Sequence, residues 1–203
     1  MSVVRIGVFS IAMATEADAP IGLYARLLGS SWQQLAEPVR FAHGTKSMMH
    51  GRGRLRIAHG RGYLARVLAA VLRLPRANDA AETRLVVTPR GDVEHWRRTF
   101  DDRCLATRQY ATGDRELGER IGVLEFRFRL EPSAGSLVFR QVEAAVLCGP
   151  VRVRIPAAWA PRVEAREDPA GAHRIRIHVS VVLPALGPVL TYDGVIDLEE
   201  QRS

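Results

Sequence analysis

The chain has 203 residues, 47% hydrophobic and 25% charged, the make-up of an ordinary globular domain long enough to bury a core without staples. Its formal net charge is +7, and Lys46 is the single lysine. The arginines are scattered through strand-like segments rather than massed with aromatics, which argues against a nucleic-acid partner, and no apolar run is long enough to span a bilayer.

Residues 1–20 read as an extension ahead of one domain over 21–203. Within the extension, Arg5 and the run Ile6–Ala14 also have the outline of a short signal peptide ending in a small-x-small site; a cytoplasmic protein is the default. From Ile21 to Leu28 the pattern is a short helix with Leu23, Leu27 and Leu28 on one side, ended by Gly29. Trp32 and Leu35 extend it by another turn, and Pro38 stops it. Residues 45–59 alternate weakly through Leu55 and Ile57 and read as a strand. Leu64, Val67, Leu68, Val71 and Leu72 then follow helical spacing, so a helix is predicted over 62–74, closed by Pro75.

After Asn78 the texture is strand to the end. Period-two segments fall at 82–89, 92–99, 103–111, 115–121, 123–131, 136–147, 161–168, 173–183 and 188–198. Between them stand turn sequences such as Pro89-Arg-Gly-Asp92, Pro132-Ser-Ala-Gly135 and Asp168-Pro-Ala-Gly171. Residues 150–160 interrupt the series with a short strand and a helical turn beginning near Pro156. Short links make successive strands antiparallel neighbours, and closing the sheet removes its edges. The predicted fold is an antiparallel up-and-down β-barrel of the lipocalin or fatty-acid-binding kind, with one or two helices on the N-terminal side; a sandwich is the runner-up. A helix-grip fold would need a long C-terminal helix, and the chain ends on a strand.

Several short motifs are similar to those of the bacterial family called domain of unknown function 4166. They are Leu23-Tyr-Ala-Arg-Leu-Leu-Gly29 with Val39-Arg40 and His43, then Arg61-Gly62, Leu64-Ala-Arg66 and Leu74-Pro75. Trp96-Arg97 with Phe100 follows, then Glu119-Arg120 to Phe126-Arg-Phe128, Pro161–Glu167, Leu186-Gly-Pro188 and Tyr192-Asp-Gly194. The resemblance covers about 21–198. It departs at Glu143–Pro150, where the family tends to a Trp-Arg and a Leu-Pro-rich turn. It implies one domain and carries no activity with it.

The sequence has none of the motifs of nucleotide, serine-nucleophile or helical zinc chemistry. The two Gly-Arg-Gly runs at 51–53 and 60–62 hint at phosphate loops, but neither follows a strong parallel strand, and the second, leading into the predicted helix, reads as a plain turn; neither a metal nor a cofactor is implied. Two cysteines, Cys104 and Cys148, are too few for a disulfide framework and lack metal spacing. They read as small buried thiols, with a single bridge the other option.

What remains is alternating charge. In Leu124–Glu131 the apolar side chains at 124, 126, 128 and 130 share one face, and Glu125, Arg127, Arg129 and Glu131 share the other. Arg174, Arg176 and His178 repeat the pattern against Ile175, Ile177 and Val179. Two assignments are open. Either the apolar sets fill the barrel and the charges pair in water, or the polar sets point inward. In the second case Glu125, His178 and Tyr192 are the candidate catalytic groups, and Arg127, Arg176, Trp96 and His43 the candidate ligand contacts. A buried Arg beside a Tyr would then hold a carboxylate or enolate.

The expected function is binding of a hydrophobic or amphipathic small molecule in the barrel, the helix over 62–74 acting as a lid, extended to a cofactor-independent cyclase or isomerase if a proton is moved. The alternative is a non-catalytic structural or interaction module with a filled core.

Overall fold

The computed structural model describes residues 22–44, 47–60, 62, 63, 67, 74–184 and 186–200. The N-terminal extension and most of the predicted helix over 62–74 lie outside them. The chain begins with α1 (Leu23–Leu28), a 3-10 turn (Gly29–Gln34) and α2 (Glu37–Gly44). Pro38 does not end a helix, as the sequence suggested, but sits in the first turn of α2. There the backbone N–H it lacks has no intrahelical partner to lose.

Among the described residues eleven strands follow: β1 (Met49–His59), β2 (Asn78–Arg90), β3 (Val93–Phe100), β4 (Arg103–Gly113), β5 (Glu116–Ile121), β6 (Leu124–Ser133), β7 (Ser136–Cys148), β8 (Val151–Arg154), β9 (Arg162–Gly171), β10 (Arg174–Leu183) and β11 (Gly187–Glu200). All pair antiparallel. β6 pairs with β7 while β7 also pairs with β9, so ten strands close into a barrel and β8 hangs on the outside of the β7 end. The predicted barrel is therefore formed, and the short strand and turn expected at 150–160 are present as β8 and a turn in which Trp159 and Ala160 donate to the Pro156 carbonyl.

The alternation decides which face is inside. Leu55, Ile57, Leu85, Val87, Phe126, Phe128, Leu130, Phe139, Ile175 and Ile196 form one buried cluster. Directly opposed residues share a face, so the cross-strand register fixes the rest. Glu125, Arg127 and Arg129 stand outside, and so do Arg176 and His178. The cysteines are a correction too: both are free thiols, and both are exposed. Cys104 is in the outward phase of β4, and Cys148 ends β7 where only β8 covers it.

The helices close one end of the barrel. Arg26 pairs with Asp92 at 2.5 Å, the Arg115 guanidinium donates to Ser31 Oγ at 2.7 Å, and the Ala36 N–H donates to the Gly135 carbonyl at 2.8 Å. Phe41 meets the His173 ring edge-on at 5.2 Å. Four hairpin turns, β2–β3, β4–β5, β6–β7 and β9–β10, thus grip the cap. β1 ends and β2 begins at the opposite mouth.

β1 and β11 approach too closely for side chains at two points. A Cβ on Gly53 would collide with the Val195 carbonyl oxygen, and one on Gly194 with the Arg54 carbonyl oxygen. A backbone oxygen cannot step aside as a side chain can. We expect Gly194→Ala to lower the unfolding free energy by about 1–3 kcal/mol in urea titrations. Gly113→Ala, whose Cβ would meet only ordinary contacts, should change it by less than about 0.5 kcal/mol.

Candidate functional site

The barrel interior is not purely apolar. On β3 the inward phase is Glu94, Trp96, Arg98 and Phe100; on β4 it includes Leu105, Thr107 and Gln109; on β5 it is Leu117, Glu119 and Ile121. β9 adds Glu167 and β11 adds Tyr192, opposite Ile177 and Val179 respectively on β10. The cap adds Tyr24 from α1 and His43 from α2, both fully enclosed.

These groups form a connected chain. The Tyr24 hydroxyl donates to Gln109 Oε1 at 2.7 Å, and Gln109 Nε2 donates to Glu119 Oε1 at 3.2 Å. Arg98 donates to the same Glu119 oxygen at 3.3 Å and to Thr107 Oγ1 at 3.1 Å. Its guanidinium lies over the Trp96 ring, 4.8 Å from the centroid, which adds a cation–π contact. Burial works against the Arg98 charge, but Glu119, Tyr192, Tyr24 and Glu167 together outweigh it and hold the guanidinium above its ordinary value.

Nearer the cap, His43 Nε2 and Glu167 Oε2 are 2.5 Å apart. The carboxylate requires that nitrogen to carry the proton, and His43 Nδ1 has no partner. The imidazole is stacked by Tyr24, 3.9 Å between centroids, and flanked by Trp96 at 5.5 Å. Trp96 Nε1 donates to Glu94 Oε2 at 3.0 Å. Burial raises the Glu94 carboxyl above its ordinary value, against the pull of His43 and the Trp96 hydrogen bond. Burial also pushes both phenols up, Tyr24 well above its usual value and Tyr192 to about 12. Both are neutral donors at physiological pH.

Burial changes along the barrel axis. Toward the cap the inward apolar side chains are sealed: Met49, Leu117, Leu130, Leu137 and Ile175 expose nothing. Toward the other mouth the two sides differ: Ile57, Phe100 and Leu190 are buried, whereas Leu105, Ile121, Leu124, Ile177, Val179 and Val181 remain only partly buried although they point inward. Between the two zones Arg98 and Glu119 keep 16% and 15% of their side-chain surface. The Tyr192 hydroxyl has no hydrogen-bond partner among the described residues. The arrangement is a bay with apolar walls on β4–β6 and β9–β10 and a polar floor of Arg98, Glu119 and Tyr192.

Of the residues singled out from sequence, Trp96, His43 and Tyr192 are inside. Trp96 backs Arg98, His43 belongs to the cap, and Tyr192 borders the bay. Glu125, Arg127, Arg176 and His178 do not join them. Glu125 is on the outer wall but not in open water: β8 folds over it, Arg152 Nε donates at 2.6 Å, and the Tyr110 hydroxyl also donates to it. Burial opposes the Glu125 charge, yet the hydrogen bonds from Tyr110 and Arg152 prevail and hold its carboxyl below the ordinary value. Arg127 Nε lies 3.7 Å from the same carboxylate. Arg176 and His178 both face Asp193, at 3.2 and 3.7 Å. His178 also borders an open outer cleft of about 630 Å³ where β7 and β9 diverge.

Glu94, Arg98, Gln109, Glu119, Glu167 and Tyr24 were not singled out from sequence. The signal for most was present. Each of the five strand residues stands in phase with apolar neighbours, as Arg98 does between Trp96 and Phe100, or Glu119 between Leu117 and Ile121. Among the described residues no group of three or more His, Cys, Asp or Glu side chains is arranged to hold a metal ion.

The fold is thus a ten-stranded antiparallel barrel, stoppered by helices at one end, with charged side chains held inside. The chain belongs to the family described as domain of unknown function 4166, whose family model matches residues 35–196. No curated protein and no solved structure matches it.

The raised Glu94 carboxyl has a consequence for stability. The native state keeps this proton to higher pH than the unfolded chain, whose carboxyl titrates near 4.5. Stability is therefore lost as pH rises from that value through the native one. Glu94→Gln keeps an acceptor for Trp96 and removes the titration. In urea unfolding, the variant should gain on the wild type as pH rises above the ordinary carboxyl value; a constant difference would refute the assignment. Glu125→Gln should behave oppositely, its deficit shrinking as pH falls below the ordinary carboxyl value, because the native carboxylate loses its advantage there.

Proposed function

We propose that this protein binds an amphipathic small molecule in the barrel bay. The apolar body lies against Leu105, Ile121, Ile177, Val179 and Val181, and an oxygen-bearing end meets Tyr192 and Arg98. The observation that carries this reading is the gradient of burial: inward-facing apolar side chains sealed under the cap but, on β4–β6 and β10, partly exposed toward the other mouth. Burying such a surface against a ligand is favourable, at about 25 cal/mol per Å², and a few placed polar groups set the orientation.

The electrostatics favour an uncharged polar end over the carboxylate expected from an Arg beside a Tyr. Arg98 is already matched by Glu119, and Glu94 and Glu167 add further acidic groups nearby. A second free carboxylate would face repulsion that Arg98 does not offset. A hydroxyl or carbonyl oxygen accepts the Tyr192 proton without that cost. Cyclase or isomerase turnover would need a base at the floor. Glu119 is the group in place, but it is engaged by both Arg98 and Gln109, so binding is the leading reading.

The test is a fluorescence titration of the full chain with an environment-sensitive apolar dye, competed by a long-chain alcohol and by the matching carboxylic acid. The alcohol should displace the dye more effectively than the acid. Val179→Trp should fill the bay and abolish binding while the protein still melts cooperatively. Tyr192→Phe should weaken binding of the alcohol about 2- to 10-fold, the worth of one hydrogen bond. Undiminished dye binding in Val179→Trp, or no binding by the wild type, would leave the filled-core module as the better account.

A further inference from the structure

The outer wall is not uniform. Around β6–β11 nearly every outward arginine has an acid: Arg129 with Glu116, Arg140 with Glu131, Arg152 and Arg154 with Glu143, Arg166 with Asp168, Arg174 with Asp197 and Arg176 with Asp193. On the wall made by β2–β5 this stops. Arg84, Arg90, Arg97, Arg108 and Arg120 have no carboxylate partner among the described residues. The register sets Arg108 face to face with Arg120, and His95 on the other side of Arg108. On the neighbouring strand Arg52 stands opposite Arg84. Directly opposed like charges weaken a sheet, and Glu125, opposite Arg120 in the register, is held by Tyr110 and Arg152. Burial, with Arg90 and Arg108 close by, pushes the His95 imidazole below its ordinary value.

This row lines an open concavity of about 680 Å³, whose rim includes Met48, Val86 and Gly122. Two exposed apolar side chains adjoin it. Met48 is 38% exposed, and Val123, in the β5–β6 turn beside Gly122, is 60% exposed. The combination separates two anionic partners. Nucleic-acid surfaces interleave cations with stacking aromatics; here the described lining holds no Phe or Tyr, and its Trp96 is buried facing the interior. A bilayer surface instead takes a patch of arginines flanked by apolar side chains that reach between headgroups.

We propose that the β2–β5 wall, through Arg90, Arg97, Arg108 and Arg120 with Met48 and Val123 at its rim, docks on an anionic lipid bilayer. The association is peripheral. It is electrostatic in range, so salt screens it, and it is independent of whether the bay holds a ligand.

Co-sedimentation of the full chain with vesicles tests this. We expect binding to vesicles of phosphatidylcholine with about one-third phosphatidylglycerol, little to phosphatidylcholine alone, and loss of at least about tenfold in affinity at about 0.5 M NaCl. Arg97→Gln/Arg108→Gln should weaken binding about tenfold or more. Arg166→Gln/Arg176→Gln removes the same two charges from β9 and β10, across the barrel from the patch, and should weaken it less than about threefold, with far-UV circular dichroism reporting that both variants fold. Val123→Ser should lower affinity while leaving the salt dependence unchanged. Equal losses in the two double variants would reduce the effect to net charge and overturn the proposal. So would absence of vesicle binding, or binding of a single-stranded oligonucleotide with the same arginine dependence when vesicles show none. Each outcome is separable from the dye titration, which reads the bay alone.

Discussion

A closed sheet offers each residue one of two environments, and the strand period of two makes the choice for the whole strand at once. Everything distinctive in this protein follows from where charged residues fall in that phase. On β6 the phase set by Leu124, Phe126, Phe128 and Leu130 puts every charge outside. On β3 the phase set by Trp96 and Phe100 puts Glu94 and Arg98 inside, where charges are costly unless paired and hydrogen-bonded. The interior answers with partners from three other elements: Glu119 on β5, Gln109 on β4 and Tyr24 on α1. The cap is thus more than a stopper. Through the Tyr24 hydroxyl it completes the hydrogen bonding of the charged layer beneath it, and through His43 and Glu167 it is bonded directly to the barrel wall.

That dependence explains which parts of the structure could be read in the sequence. The strands, their antiparallel order and the closure were legible because alternation and turn residues are local signals. The cap was legible only in part. Its first helix has a clear apolar side, but α2 carries Pro38, which marks a helix start as readily as a stop. The surroundings of the cysteines were misread because a small apolar residue does not declare its face; only the register of β4 and the shelter of β8 do. Dense alternation of charge marks β6 and β10 in the sequence. The informative places were quieter: single polar residues in step with apolar neighbours, such as Arg98, Glu119 and Glu167. Partnerships among them span four strands and a helix, and no local pattern states them.

The two faces of the wall also divide labour that composition blends together. A net charge of +7 describes the whole chain, yet the excess is unevenly placed. On the β6–β11 side arginine and acid cancel pair by pair, which gives a neutral, well-hydrated surface of modest energetic worth. On the β2–β5 side the same residue type is left without counterparts. The interior, meanwhile, leans acidic. Three regions with three electrostatic characters are cut from one alternating sheet.

The joint between β7 and β9 has a different meaning. Their shared ladder runs only over Leu137–Arg140 and Glu164–Glu167, the shortest of the pairings that close the barrel. Beyond it the Gln141 side chain takes over, donating to the Pro161 carbonyl at 2.7 Å and accepting from the Val163 N–H at 2.6 Å. One flexible amide does the work of a row of backbone bonds. A cylinder joined this way has a seam, and parting that seam breaks fewer main-chain bonds than parting any other pair of strands around the wall. The opening free energy of a protein is lowest where backbone bonding is thinnest. The barrel therefore has a soft longitudinal line, beside the outer cleft and next to Val163, along which its wall can breathe sideways while the gripped end stays shut.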